Sequence, residues 1–159
     1  MRKKSARKKT PVRFALESQS ALQPKVNDGL GAVQKAHRSH VADDIRSDFE
    51  DSLDLDEALR PEHSSSNRWD YLLGHGPHRR VVGLEPHSAA DGEISVVIKK
   101  KESALEQLKP HLKTGQRVSR WFWVASGNVG FTAMERATRR LDEKGINFVG
   151  KSLLRKHLA

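Results

Sequence analysis

Two acidic residues stand in apolar surroundings within "RWDYLLGHGPHRRVVGLEPHSA", residues 68–89. Asp70 lies in the run RWDYLL and Glu85 near the end of RRVVGLE, where strand propensity favours apolar and β-branched side chains. The loop GHGPH between them predicts a β-hairpin, which brings both acids to one region of a sheet. Two carboxylates so close repel and are held above their ordinary pKa unless a cation lies between them. Mg²⁺, with Mn²⁺ as substitute, is the natural occupant, since it takes a few carboxylate oxygens and retains waters. Such a metal activates water and stabilises charge developing on a phosphate. The alternative is that both acids simply face water.

His87, two residues beyond Glu85, has the capacity of a general base or a metal ligand. A second cation comes from GEISVVIKKKESALEQLKPHL, where Ile94, Val97, Ile98, Leu105, Leu108 and Leu112 predict one apolar helical stripe. With Ile94 at the origin and about 100° per residue, Lys101 falls at about −20°. That is inside the stripe, while Lys99 and Lys100 point away from it. A lysine there either snorkels to solvent or meets a carboxylate, so Lys101 is the candidate partner of Asp70 and Glu85. His75, His78 and His87 together suit a transition metal; alternatively, the first two are polar turn residues.

These side chains need a scaffold. RWFWVAS reads as a strand buried on both faces, with Trp121 and Trp123 on one side and Phe122 on the other. That pattern predicts core packing, with stacking on unpaired bases as the alternative. FTAMERATRRLDEKG predicts a helix with Thr132 as N-cap and Gly145 beyond its end, and INFVGKSLL a final strand. Ahead of that helix, ASGNVG is a strand-to-helix turn whose amides could hold a phosphate. The order hairpin, helix, strand, helix, strand predicts an α/β fold, a small mixed β-sheet with flanking helices and parallel pairing in its second half.

The 159 residues carry a net charge of +9, unevenly placed. Residues 1–40 hold ten Lys/Arg against two acids, residues 41–67 two against nine, and residues 68–159 seventeen against nine. The expectation is a basic, disordered tail over 1–40, an acidic helix and linker over 41–66 (Val41, Ile45, Phe49 and Leu53 at intervals of four), and an α/β domain over 67–159. Basic surfaces favour DNA or RNA, here through Arg2, Lys3, Lys4, Arg7, Lys8 and Lys9 of the tail and Arg139 and Arg140 of the last helix. The acidic helix could bind a protein partner instead. Without cysteine there is neither a disulfide framework nor a thiolate site. No apolar run is long enough to span a bilayer, and the basic N-terminus lacks the hydrophobic segment of a secretory signal; a cytoplasmic location is expected.

An Asp on one strand, a Glu-x-Lys-like motif on the next, then a helix and another strand resemble the core of the PD-(D/E)XK nuclease superfamily. The resemblance covers roughly residues 67–126, with Asp70 and Glu85 matching the family's two acids and His87 standing at the family's lysine. It implies a restriction-endonuclease-like fold and metal-dependent phosphodiester hydrolysis. Asp70 and Glu85 would then hold Mg²⁺, and His87 or Lys101 would lie near the attacking water. A non-catalytic nucleic-acid-binding protein and a protein-interaction module remain the alternatives.

Overall fold

The computed structural model describes residues 9–159. Six strands form one open sheet in sequence order: β1 (Asn27–Asp28), β2 (Phe49–Asp54), β3 (Tyr71–His75), β4 (Arg80–Ala90), β5 (Val118–Gly130) and β6 (Ile146–Phe148). The first four pair antiparallel, and β4, β5 and β6 pair parallel. The fold is therefore mixed α/β with a mixed sheet, as the element order predicts. The helices are α1 (Pro11–Ala15), α2 (Lys35–Arg38), α3 (Leu55–Leu59), α4 (Glu93–Leu108) and α5 (Met134–Glu143). No helix among the described residues is long and apolar enough to cross a membrane.

The two faces of the sheet bury separate clusters, and strand alternation decides which side chain enters which. Leu72, Val81, Trp121 and Trp123 pack with α1 and α4 on one face. Tyr71, Leu73, Val82, Leu84, Phe122 and Val124 pack on the other with Val33, Val41 and Leu153. Trp121 and Trp123 are thus core residues, and base stacking is closed to them.

The N-terminal half departs from expectation. Residues 9–40 do not trail away as a tail: Val12, Leu16, Leu22, Val26 and Val33 are buried. Their anchor is Asp51, a fully buried carboxylate that accepts the backbone N–H of Val12 at 3.1 Å and of Arg13 at 3.0 Å. Pro11 at the helix start leaves no further donor to satisfy there. The apolar residues of this segment are widely spaced, so no periodicity advertises them.

The expected acidic helix is only a short 3-10 turn, Asp43–Asp48, followed by β2. Val41, Ile45, Phe49 and Leu53 are all buried, as their spacing implies. An interval of four also fits strands, however, and pairing with β3 overrides helix periodicity. A bulge between Phe49 and Asp51 then sends Phe49 and Leu53 into opposite clusters. Asp54 caps α3 by accepting the N–H of Glu57 at 3.0 Å. Residues 41–66 are consequently part of the same sheet as residues 67–159.

Candidate functional site

Antiparallel pairing of β3 with β4 ends at Tyr71↔Leu84. One further step in that register sets Asp70, the residue ahead of β3, opposite Glu85. The Asp70 N–H donates to Glu85 Oε1 at 2.9 Å. Both side chains belong to the face of Leu72 and Trp123, so the acids converge instead of splitting across the sheet. Pro86 lies just past the last β3 pair, where β4 needs no donor toward that neighbour. The Asp70 carbonyl in turn accepts the N–H of Leu55 at 2.8 Å and of Asp56 at 3.3 Å, which sets the start of α3 against the site.

Glu85 is fully buried, in contact with the Asp70 N–H, Lys100 and His87. Gly83, two residues earlier on the same face, lets Trp121 and Trp69 close over the strand. A Cβ there would lie 2.8 Å from Trp121 Cε3 and 2.9 Å from Trp69 Nε1. The two indoles meet edge to face at 4.9 Å.

The cation at the acids is Lys100, not Lys101. The Lys100 ammonium bonds Glu85 Oε2 and stands 3.6 Å from Asp70 Oδ1. Lys101 instead donates to the Lys144 carbonyl and lies 5.8 Å over the Trp121 ring. The reason is how far the buried face of α4 extends. Ile94, Val97, Ile98, Ala104, Gln107 and Leu108 are buried, whereas Leu105 is 46% exposed. With Ala104 at about −80° and Gln107 at about −140° the buried face extends well past the apolar stripe, so Lys100 at about −120° reaches the sheet from its edge.

Charge in this dry setting is displaced in telling directions. Burial, reinforced by the Glu85 carboxylate, pushes Asp70 up to about 7 against the pull of Lys100. Burial pulls the Lys100 ammonium down, but the Glu85 and Asp70 carboxylates outweigh it and leave its pKa raised. His87 is raised too, mainly by hydrogen bonding to Glu85 and also to Glu93. Its Nδ1 is 3.4 Å from Glu85 Oε2 and its Nε2 2.7 Å from Glu93 Oε2. The Trp123 indole N–H fixes the His87 carbonyl at 3.1 Å. The result is a chain of contacts from Glu93 through His87, Glu85 and Lys100 to Asp70.

Sequence reasoning thus places Asp70, Glu85 and His87 together correctly and misses Lys100 and Glu93. Glu93 carries a weak signal, since it opens the helix that follows the strand bearing His87. The three-histidine metal reading fails: His75 and His78 stack on each other at 5.3 Å at the hairpin turn. His87 lies at the far end of β4, roughly 23 Å along the strand. At that same hairpin turn Arg79 bonds both carboxylate oxygens of Glu50. The expected ASGNVG turn is instead the end of β5, whose Val129 and Gly130 pair with Ala89 and Ala90, and beyond it Asp91 accepts the Thr132 hydroxyl at 2.6 Å and its N–H at 3.2 Å. Thr132 therefore does not cap α5, whose N-cap is Ala133.

No group of three or more His, Asp or Glu side chains gathers as a metal cage among the described residues. The donor set at the site nevertheless fits Mg²⁺ or Mn²⁺. It offers two carboxylates on one face, with Asp70 partly open to solvent and its pKa raised by burial and by the Glu85 carboxylate. Of the expected nucleic-acid contacts, Arg139 and Arg140 are exposed on α5, and Arg140 donates to Ser95 Oγ at 2.9 Å. Lys9 edges α1, while Arg2, Lys3, Lys4, Arg7 and Lys8 lie outside the described residues. Acids of the 41–66 segment have partners inside the chain: Asp44 and Asp48 pair with Arg155, Asp43 with Arg46, and Asp56 with Arg60 and Arg68.

Against known protein-family models, curated proteins and solved structures, the chain matches none.

Proposed function

We propose that this protein acts on nucleic acid as a divergent PD-(D/E)XK-type, metal-dependent phosphodiester hydrolase. The observation that carries the reading is the convergence of Asp70, Glu85 and Lys100 on one dry face of the sheet. The antiparallel hairpin, the helix and the parallel strands after it support a restriction-endonuclease-like arrangement. Asp70 and Glu85 would hold Mg²⁺ or Mn²⁺, which supplies Lewis acidity toward the phosphate and lowers the pKa of a bound water. Lys100 takes the part of the family's lysine from a helix instead of a strand. Its ammonium, raised in pKa and pointed at both carboxylates, stays protonated and offers positive charge where a phosphate would gain negative charge. His87, braced by Glu93, is placed to hold or pass a proton at Nδ1.

A second reading is non-catalytic nucleic-acid binding. It is favoured by the fact that Lys100 already neutralises Glu85 without a metal. A cleavage assay on single- and double-stranded DNA and RNA with Mg²⁺ or Mn²⁺ separates the two. Cleavage should vanish in Asp70→Ala and Glu85→Ala, fall about a hundredfold in Lys100→Ala, and persist in Lys101→Ala. Cleavage that survives loss of both acids would sink the hydrolase reading. Salt-sensitive binding with no cleavage by wild type would establish the second.

A further inference from the structure

The exposed aromatic of this fold is neither tryptophan pair but Phe14. It is 49% exposed on α1, while its neighbours Val12 and Ala15 are buried. Around it runs a groove of about 520 Å³ lined by Lys9, Pro11, Phe14, Arg79 and Lys113. Its lining is thus one aromatic ring, one proline and three cations, with no acid. The Lys113 ammonium stands 4.8 Å over the Phe14 ring centroid. Neither Lys9 nor Lys113 has a carboxylate partner among the described residues.

Arg79 makes the groove a built feature. Its backbone sits at φ 48°, a left-handed conformation that costs a non-glycine residue energy and persists only when neighbours enforce it. They do so here: the guanidinium bonds both Glu50 oxygens at 2.9 Å and the Lys9 carbonyl at 2.7 Å. Arg79 is thereby paired with Glu50 and pins the chain where the basic N-terminal sequence reaches α1. Pro11 packs over Gly74, at the turn end of the β3–β4 hairpin. The carboxylate pair lies at the other end, roughly 13 Å along β3.

We propose that this groove binds an unpaired nucleic-acid strand, with a base stacked on Phe14 and flanking phosphates at Lys9 and Lys113. An exposed ring beside cations suits a base and its phosphates, since every base offers a π-face. A duplex keeps those faces internal, and an acidic peptide gains nothing from the ring face. The inference rests on the nucleic-acid part of the reading above and is independent of cleavage.

Fluorescence anisotropy in EDTA tests it, using the full chain with a labelled 15-nucleotide oligothymidylate, a duplex of equal length and an oligo-aspartate peptide. Phe14→Ala should weaken oligothymidylate binding about tenfold. It should leave the duplex affinity and the salt dependence unchanged, and Phe14→Trp should restore binding. Lys113→Ala should reduce the slope of log K against log salt by about 0.7. Wild-type affinity in Phe14→Ala, or an equal loss on duplex, would overturn the groove and leave the nucleic-acid reading standing. Displacement of the oligonucleotide by oligo-aspartate would mark an acidic-peptide site instead. Failure of the wild type to bind any nucleic acid would remove both.

Discussion

Replacing Asp70 by Asn should make the protein more stable at neutral and alkaline pH, and the site's electrostatics set the amount. Asp70 is raised from 3.8 to about 7 in the folded chain. The folded state therefore prefers the neutral acid, which costs nothing below about 3.8. As pH rises, the unfolded chain ionises first and the native state loses stability, until the loss is complete above about 7. At ~1.4 kcal/mol per tenfold, a displacement of this size is worth ~4 kcal/mol as an upper bound. Asn keeps the shape and removes the repulsion from Glu85; the pull of Lys100 is already contained in the value of about 7, and solvent at the partly open Asp70 side chain screens part of the gain. A net gain of ~2 kcal/mol at pH 8 is expected, or about 4–8 °C in Tm for a chain of this size. Urea denaturation of both proteins from pH 4 to pH 8 measures it. The two curves should coincide near pH 4 and diverge toward pH 8. A variant no more stable than wild type at pH 8, or a difference that does not change with pH, would refute the argument.

Two further outcomes follow from the same geometry. Lys100→Met strands the buried Glu85 charge and should cost ~3–5 kcal/mol. Adding Glu85→Gln should return much of that loss in a double-mutant cycle by urea denaturation; simple addition of the two penalties would mean that the pair is uncoupled. Deleting residues 1–40 should abolish cooperative melting, since it removes Val12, Leu16, Leu22, Val26 and Val33 from the core.

What the sequence discloses depends on how local each cause is. The hairpin and α4 are local, and the alternation of β4 puts Glu85 and His87 on one face whatever else the chain does. Asp70 opposite Glu85 follows from a short hairpin alone. Lys100 was hidden mainly by two residues that the apolar stripe leaves out: Ala104 and the polar Gln107 are buried on either side of it, and they extend the inferred face to Lys100. The segment before residue 67 was hidden for a different reason. Its contacts join residues far apart in the chain, such as Asp51 with Val12 and Arg13, and no composition or period in a basic stretch points to a buried aspartate about 40 residues away. β2 was masked by an interval of four that helix and strand share.

The acidic block has a consequence for how a polyanion meets this protein. Seen along the chain, residues 41–67 look like a negative shield that could compete with phosphate for the basic parts. In three dimensions Asp44 and Asp48 hold Arg155, Glu50 holds Arg79, and Asp56 holds Arg60 and Arg68. These are short-range pairs whose dipolar fields fade quickly with distance, and the net charge of +9 is unaltered by them. An approaching strand therefore experiences the cations left over, Lys9, Lys113 and the exposed arginines of α5, more than the acids. Ionic strength would then tune capture at these sites with little loosening of the internal pairs. Association and folding should respond to added salt on separate scales.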